Sequence, residues 1–249
     1  MKAAPDMSAP SAKSADIHVL CAGAMHRIMD ELVPAFERIS GKKVAIGFAS
    51  SGGVKNRVLD GESVDVVITT RAAIDDLAAS MNIASDGIKA IAHSPIGIAI
   101  RAGAAKPDIG SIEAFKRTLL QARSIAYADP STGSPSANHF VKVLNRLGMT
   151  AALKPKTKLI GAAAGSVVVV CDAVARGEAD IGIQQISEIL GVSGVELAGP
   201  LPTELQHLTT FSAAVGAQAK DPEASHSLVD FLISPTVAPV IEANGMTPG

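Results

Sequence analysis

Apolar positions along this chain follow two spacings in turn, and the alternation predicts strands followed by helices. Ile17 to Leu20 reads as a strand, and Met25, Ile28, Met29, Leu32, Val33 and Phe36 then recur at helical spacing. Val44, Ile46 and Phe48 alternate with Ala45 and Gly47, as one face of a strand does. A short helix is expected from Val54 to Leu59 with Gly61 closing it, then a buried strand from Val64 to Ile68. Ile74, Leu77, Ala78 and Met81 mark the next helix. Ile91 to Ile100 is one long apolar run, read as a single strand able to cross from one part of the molecule to another.

The second half repeats the rhythm. Ser111 is a plausible N-cap with Glu113 in the first turn behind it. A strand over 124–128 leads to a helix ending at Leu147 before Gly148. Leu159 and Ile160 suggest a short strand, and Val167 to Arg176 a helix stopped by Gly177. Ile181 to Ile183 and Thr209 to Val215 read as strands. Asp221-Pro222 opens a helix in cap-then-proline order, running to about Ile233. A last helix spans Thr236 to Ala243, closed by Asn244-Gly245. Such strand–helix repeats predict an α/β fold of mainly parallel sheets flanked by helices, with ligands beyond the carboxyl ends of the strands.

Three of those ends carry small and hydroxyl residues. They are Cys21-Ala-Gly-Ala24, Ala49-Ser-Ser-Gly-Gly53 and Tyr127-Ala-Asp-Pro-Ser-Thr-Gly-Ser-Pro-Ser136. A loop of this kind entering a helix leaves free N–H groups with hydroxyls beside them, which is chemistry for a small anion.

Composition narrows the partners. The chain has 249 residues, 47% hydrophobic and 18% charged, with a formal charge of −2. That balance gives no electrostatic case for nucleic acid or an anionic membrane. No apolar run is long enough to span a bilayer. Residues 1–15, rich in Ala, Pro and Ser, read as a flexible leader of the kind left when an export signal is cleaved. The alternative is a cytoplasmic protein with a disordered tail. Cys21 and Cys171 read as two buried free thiols. No Cys/His cluster has metal-ligand spacing, so neither a metal nor a cofactor is implied.

The order of these motifs over residues 16–249 resembles the type II periplasmic solute-binding proteins, above all the molybdate-binding branch. The resemblance rests on the loop at 19–24, Phe48-Ala-Ser-Ser-Gly52, Asp65-Val-Val-Ile-Thr-Thr70, Ala128-Asp-Pro130, Gly177-Glu-Ala-Asp-Ile-Gly182 and Asn244-Gly-Met246. It implies two lobes with a ligand cleft between them, lobe 1 from 16–92 plus 210–249 and lobe 2 from 93–209. It also implies a periplasmic monomer that captures a small anion and hands it to the permease of an ABC importer. The departures bear on the ligand. Molybdate binders usually carry a Ser in the first loop and a Tyr after the Gly-Ile strand. This chain has Ala22-Gly-Ala-Met-His26 and Gly182-Ile-Gln-Gln-Ile186. An organic polycarboxylate fits those changes better than molybdate, because amides and hydroxyls donate to several oxygens. A second resemblance, at Gln185-Ile-Ser-Glu-Ile and Gly199-Pro-Leu-Pro-Thr-Glu-Leu-Gln206, is to bacterial aconitate isomerases, which share the fold. It implies the alternative of an allylic proton shift.

The candidate ligand contacts are Ala24, Met25, Ser50, Ser51, Gly52, Thr69, Thr70, Arg71, Ser131, Thr132, Gly133, Ser134, Gln184 and Gln185. Each has a plainer reading beside it. The serines and threonines also serve as helix caps, Arg71 as a surface charge, and the glutamines as bridges between backbone segments. His26, in the first turn of a helix, is either a surface histidine or the base of an isomerase. Asp65 and Asp180 are expected to hold turns.

Overall fold

The computed structural model describes residues 16–84, 87–161 and 170–249. The leader and the expected helix start at Val167 lie outside the described residues. Strand β1 (Ile17–Ala22) is buried on both faces, and its pleat divides its side chains. Ile17, Val19 and Cys21 enter one apolar cluster and Leu20 another. The chain then runs α1 (His26–Ser40), β2 (Val44–Ala49), α2 (Ser51–Leu59), β3 (Val66–Thr70) and α3 (Arg71–Ala79). Met81 does not extend α3. It sits in a turn with φ 56° and is 83% exposed.

The long run at 91–100 is two strands, β4 (Lys89–Ser94) and β5 (Ile96–Arg101), divided by Pro95. Proline has no N–H for a ladder and restricts the residue before it, so the strand breaks there and the chain changes sheets. Lobe 2 follows as α4 (Ile112–Gln121), β6 (Ile125–Ala128), α5 (Pro135–Arg146), α6 (Thr150–Leu153), β7 (Thr157–Ile160), α7 (Val170–Ala175), β8 (Ile181–Gln185), α8 (Ile186–Ile189) and β9 (Val195–Pro200). The chain returns through β10 (Thr209–Val215), α9 (Pro222–Leu232), α10 (Ala238–Ala243) and β11 (Thr247–Pro248).

One sheet has the order β11-β4-β10-β3-β1-β2 and the other β7-β6-β8-β5-β9. Both are mixed rather than mainly parallel. The β1–β2, β1–β3, β6–β7 and β6–β8 pairs are parallel. Strands near the crossings pair antiparallel, β10 with β3 and β4, and β5 with β8 and β9. A chain that leaves a lobe and returns to it enters its sheet from the opposite end, which is what reverses those strands. The parallel β1–β2–β3 and β7–β6–β8 ladders aim their carboxyl ends at the cleft. Cys21 and Cys171 are buried free thiols in the cores of separate lobes. No single helix among the described residues is long and apolar enough to cross a membrane.

Asp65, 2% exposed, ties the first sheet together. Its carboxylate accepts from the His18 amide at 2.7 Å and the Lys220 amide at 2.6 Å. Asp65→Ala leaves both donors unpaired, at about 1–3 kcal/mol each. We expect a loss of about 3 kcal/mol, seen as roughly 6–12 °C in thermal unfolding. A loss under about 1 kcal/mol would mean that water replaces the carboxylate.

Candidate functional site

Every βα turn of lobe 1 that faces lobe 2 begins a helix. Ser50 caps α2, its Oγ accepting from the Gly53 amide at 3.0 Å, and the same hydroxyl donates across the cleft to the Thr132 carbonyl at 2.7 Å. Beside it the two lobes touch backbone to backbone. A Cβ placed on Gly52 would lie 2.6 Å from the Thr132 carbonyl oxygen and 2.7 Å from the Gly133 Cα. Gly133 itself has φ +71°, which glycine adopts without strain. On the other flank Arg27 of α1 donates to the Leu190 carbonyl at 2.9 Å and to Asn244 at 3.1 Å. The lobes are closed.

Closure leaves a cavity of about 20 Å³, room for about one water. Lobe 1 lines it with Gly23, Ala24, Ser50 and Ser51; lobe 2 adds Ser134, Pro135, Gln184, Gln185 and Glu188. No side chain caps α5. Ser134, its N-cap residue, instead pairs its hydroxyl with that of Ser136 at 3.2 Å. With Pro at the first position, the orphan amides of α5 belong to the next residues and remain available near the cavity.

Glu188 is the residue that the sequence reading passed over. The half-buried carboxyl is hydrogen-bonded by the Gln184 side chain and the Gln185 backbone N–H. Burial outweighs both and pushes its pKa up to about 7. Cys171 donates to Gln184 Oε1 at 3.5 Å, which turns the Gln184 amide nitrogen toward other acceptors. Burial raises the Cys171 thiol to about 12, so it stays protonated. The clue in the sequence was position. Glu188 lies three residues past the end of β8, and its bond to the Gln185 amide is half of a capping box.

The structure divides the other expected residues. Ala24, Ser50, Ser51, Ser134, Gln184 and Gln185 meet at the cavity. Gln185 also spans the two crossings. With its amide oriented to suit its neighbours, it accepts from Thr209 Oγ1 at 2.8 Å and donates to Ser94 Oγ at 3.0 Å. Met25 is fully buried in the lobe 1 core and does not line the cavity, because the short 3-10 turn at Gly23–Met25 turns its side chain inward. His26 is likewise absent from the lining. It is exposed, its ring edge rests 4.3 Å from the Phe48 ring, and its Nε2 lies 3.6 Å from Asp30. Thr69 is buried and donates to the Ser51 carbonyl at 3.3 Å. Thr132 Oγ1 donates to the Asp129 carbonyl, and exposed Ser131 gives its amide to the Asp129 side chain.

Gly52, Thr70, Arg71 and Gly133 line a separate groove of about 560 Å³, outside the small cavity. Arg71 is exposed and paired with Asp75 at 2.7 Å. Another hollow of about 470 Å³ lies wholly in lobe 2. Its Arg117 and Arg123 are engaged by Asp108 at 3.5 Å and Asp180 at 2.8 Å, and lobe closure cannot act on it.

Two expectations follow. Gly52→Ala suits a helix but drives a methyl into the facing backbone, so the variant should keep its thermal stability and adopt a larger radius of gyration by small-angle scattering. An unchanged radius would contradict the contact. The second concerns Glu188, whose folded pKa lies above its ordinary 4.5. The folded state therefore holds this proton more tightly than the unfolded chain. The stability it confers is complete below about 4.5 and is lost as pH rises through about 7. Glu188→Gln should flatten that part of the stability–pH curve in denaturant titrations.

Comparison with known proteins agrees with the two-lobe geometry. The chain is similar to an aconitate isomerase from Pseudomonas sp., 35% identical over 236 residues, 92% of this chain and 87% of that protein. It is also similar to the molybdate-binding protein ModA of Azotobacter vinelandii, 28% identical over 246 residues, 94% of this chain and 91% of that protein. The solved periplasmic molybdate-binding protein of Azotobacter vinelandii shares the fold with a TM-score of 0.76 at 18% identity, covering 94% of this chain and 99% of that one. The model of one family, the bacterial extracellular solute-binding proteins, matches residues 17–247, and the chain belongs to that family.

Proposed function

We propose that this chain binds an unsaturated tricarboxylate of the aconitate type between its lobes and moves the double bond by an allylic proton shift. The observation that carries the reading is Glu188, an ionisable carboxyl inside a cavity otherwise lined by hydroxyls, amides and small residues. A site built only to hold an anion has no use for an acid, because the ionised form repels the ligand. A site that exchanges a proton needs one, poised near neutrality. The similarity to an aconitate isomerase supports the same chemistry.

In the proposed step the Glu188 carboxylate takes a proton from the methylene carbon of the substrate. The C–H electron pair spreads over the allylic system and the adjoining carboxylate. The proton then returns to the carbon that was vinylic, and the double bond has moved with no net change in atoms or electrons. The Ser50 and Ser51 turn and the uncapped start of α5 supply donors to the carboxylate on which charge develops.

A second reading is capture without turnover, with delivery to an ABC-type permease in the periplasm. Membership of a solute-binding family and the two chain crossings, which suit hinge closure, favour it. Missing hydroxyls at Gly23 and Ala24 count against molybdate as the ligand under either reading.

Incubation with cis-aconitate or trans-aconitate, followed by NMR of both isomers, tests the proposal. We expect interconversion whose rate rises with pH through about 7, since only the ionised Glu188 accepts a proton. Glu188→Gln should lower turnover by about 100-fold or more while retaining binding. Aconitate binding without interconversion would establish the binder instead. A thermal shift with molybdate and none with either aconitate would overturn both the reaction and the ligand class.

A further inference from the structure

The small cavity cannot hold a whole tricarboxylate, and its walls indicate where the remainder goes. Ser51 and Pro135 line both the cavity and the outer groove. The groove runs along the first turns of α2 and α3, the exposed side of α5 and residues 207–210 of the returning chain. It is the longer part of one interlobe slot.

Its charge is unbalanced. Asp76 is the acid in the lining, and it is paired with Lys55 at 3.0 Å. Lys142 of α5 makes no hydrogen bond or ion pair among the described residues. Next to it the rings of His139 and His207 stack with centroids 5.0 Å apart and planes 19° from parallel. His139 Nε2 faces the Leu205 carbonyl at 2.7 Å, so that nitrogen carries its proton. Burial lowers the pKa of His207, and the charges of His139 and Lys142 lower it further. Among the described residues no carboxylate pairs with Lys142 to offset its charge.

We propose that the groove is a second subsite, in which Lys142 and the His139–His207 pair receive the distal carboxylates of a polycarboxylate whose first carboxylate sits at the Ser51–Pro135 mouth that groove and cavity share. This rests on the proposed ligand class and sharpens it. A monocarboxylate engages the shared mouth alone, and a longer polyanion reaches from there along the groove.

Calorimetric titration of the full chain with acetate, succinate and tricarballylate, an unreactive saturated tricarboxylate, tests the subsite. The wild type should bind tricarballylate most tightly. Lys142→Ala should weaken tricarballylate by about tenfold and leave acetate unchanged, and Lys142→Arg should restore most of the loss. Because Lys142 is exposed, the thermal midpoint should not move. If Lys142→Ala binds tricarballylate as the wild type does, the subsite is wrong while the proposed function stands. If the wild type binds none of the three carboxylates, the ligand class fails and the subsite falls with it.

Discussion

Two peptide backbones meet at Gly52 and Gly133 with no side chain between them, and the site depends on that contact. A single methyl on either residue would overlap the facing chain. The Ser50 hydroxyl, already the cap of α2, reaches across the same seam to Thr132. One group therefore both holds a helix end and closes the cleft. On the far flank Arg27 bonds the end of α8, so the helix that carries Glu188 is pinned to lobe 1 from outside. Closure at both flanks turns an open slot into a small enclosed cavity with a groove beyond it.

Enclosure changes the chemistry of what it traps. Glu188 keeps two donors, each favouring the ionised form, yet burial raises its pKa. The capping-box bond to Gln185 is an ordinary structural role and accounts for an acid at the third position of α8. It does not account for a carboxyl lining a cavity between two lobes, where a solvated one would titrate near its usual range. Gln184, engaged by Cys171 on one side and Glu188 on the other, fixes the amide that the carboxyl leans on. Burial, opposed by those two donors, thus sets the proton affinity of this acid.

Most of the architecture was legible from apolar spacing, because buried strands and helices of ordinary length leave a period. The alternation in β1, β3 and β10 corresponds to side chains divided between the two apolar clusters of the first sheet. What spacing could not report was brief or topological. α6 and α8 have four residues each, too few to express a helical period. β9 begins with the alternation Val195, Leu197 but ends in Gly199-Pro200, too brief a pattern to mark a strand. The run across Pro95 looked continuous because apolar character does not change when a chain switches sheets. Mainly parallel sheets were expected, and the mixed order escaped because direction is set by where a strand enters its sheet and composition carries no trace of that. Of the candidate contacts, Ser50, Ser51, Ser134, Gln184 and Gln185 lie in the cavity lining because strand ends face the cleft. Met25, at the end of the 3-10 turn after β1, packs into the lobe 1 core, and His26, which opens α1, lies exposed outside the cavity lining. For Glu188 the local signature, a capping-box position after β8, signals a helix start and says nothing of the other lobe that encloses it.

The cavity lining explains how closure and proton affinity are linked. Glu188 is enclosed by residues of both lobes, Ala24 and Ser51 on one side and Ser134 and Gln184 on the other. Opening the lobes rehydrates its carboxyl, and rehydration favours the charged form. Proton affinity is therefore higher in the closed state than in the open one. By reciprocity a proton on Glu188 favours closure, and closure favours the proton. An anionic ligand acts in the same direction, because its charge opposes ionisation of the acid beside it. In the proposed reaction the closed complex therefore starts turnover from the fraction in which Glu188 has lost that proton, in a space that excludes water. A proton transfer of the kind proposed needs one enclosed carboxyl at the seam, and α8 places Glu188 there.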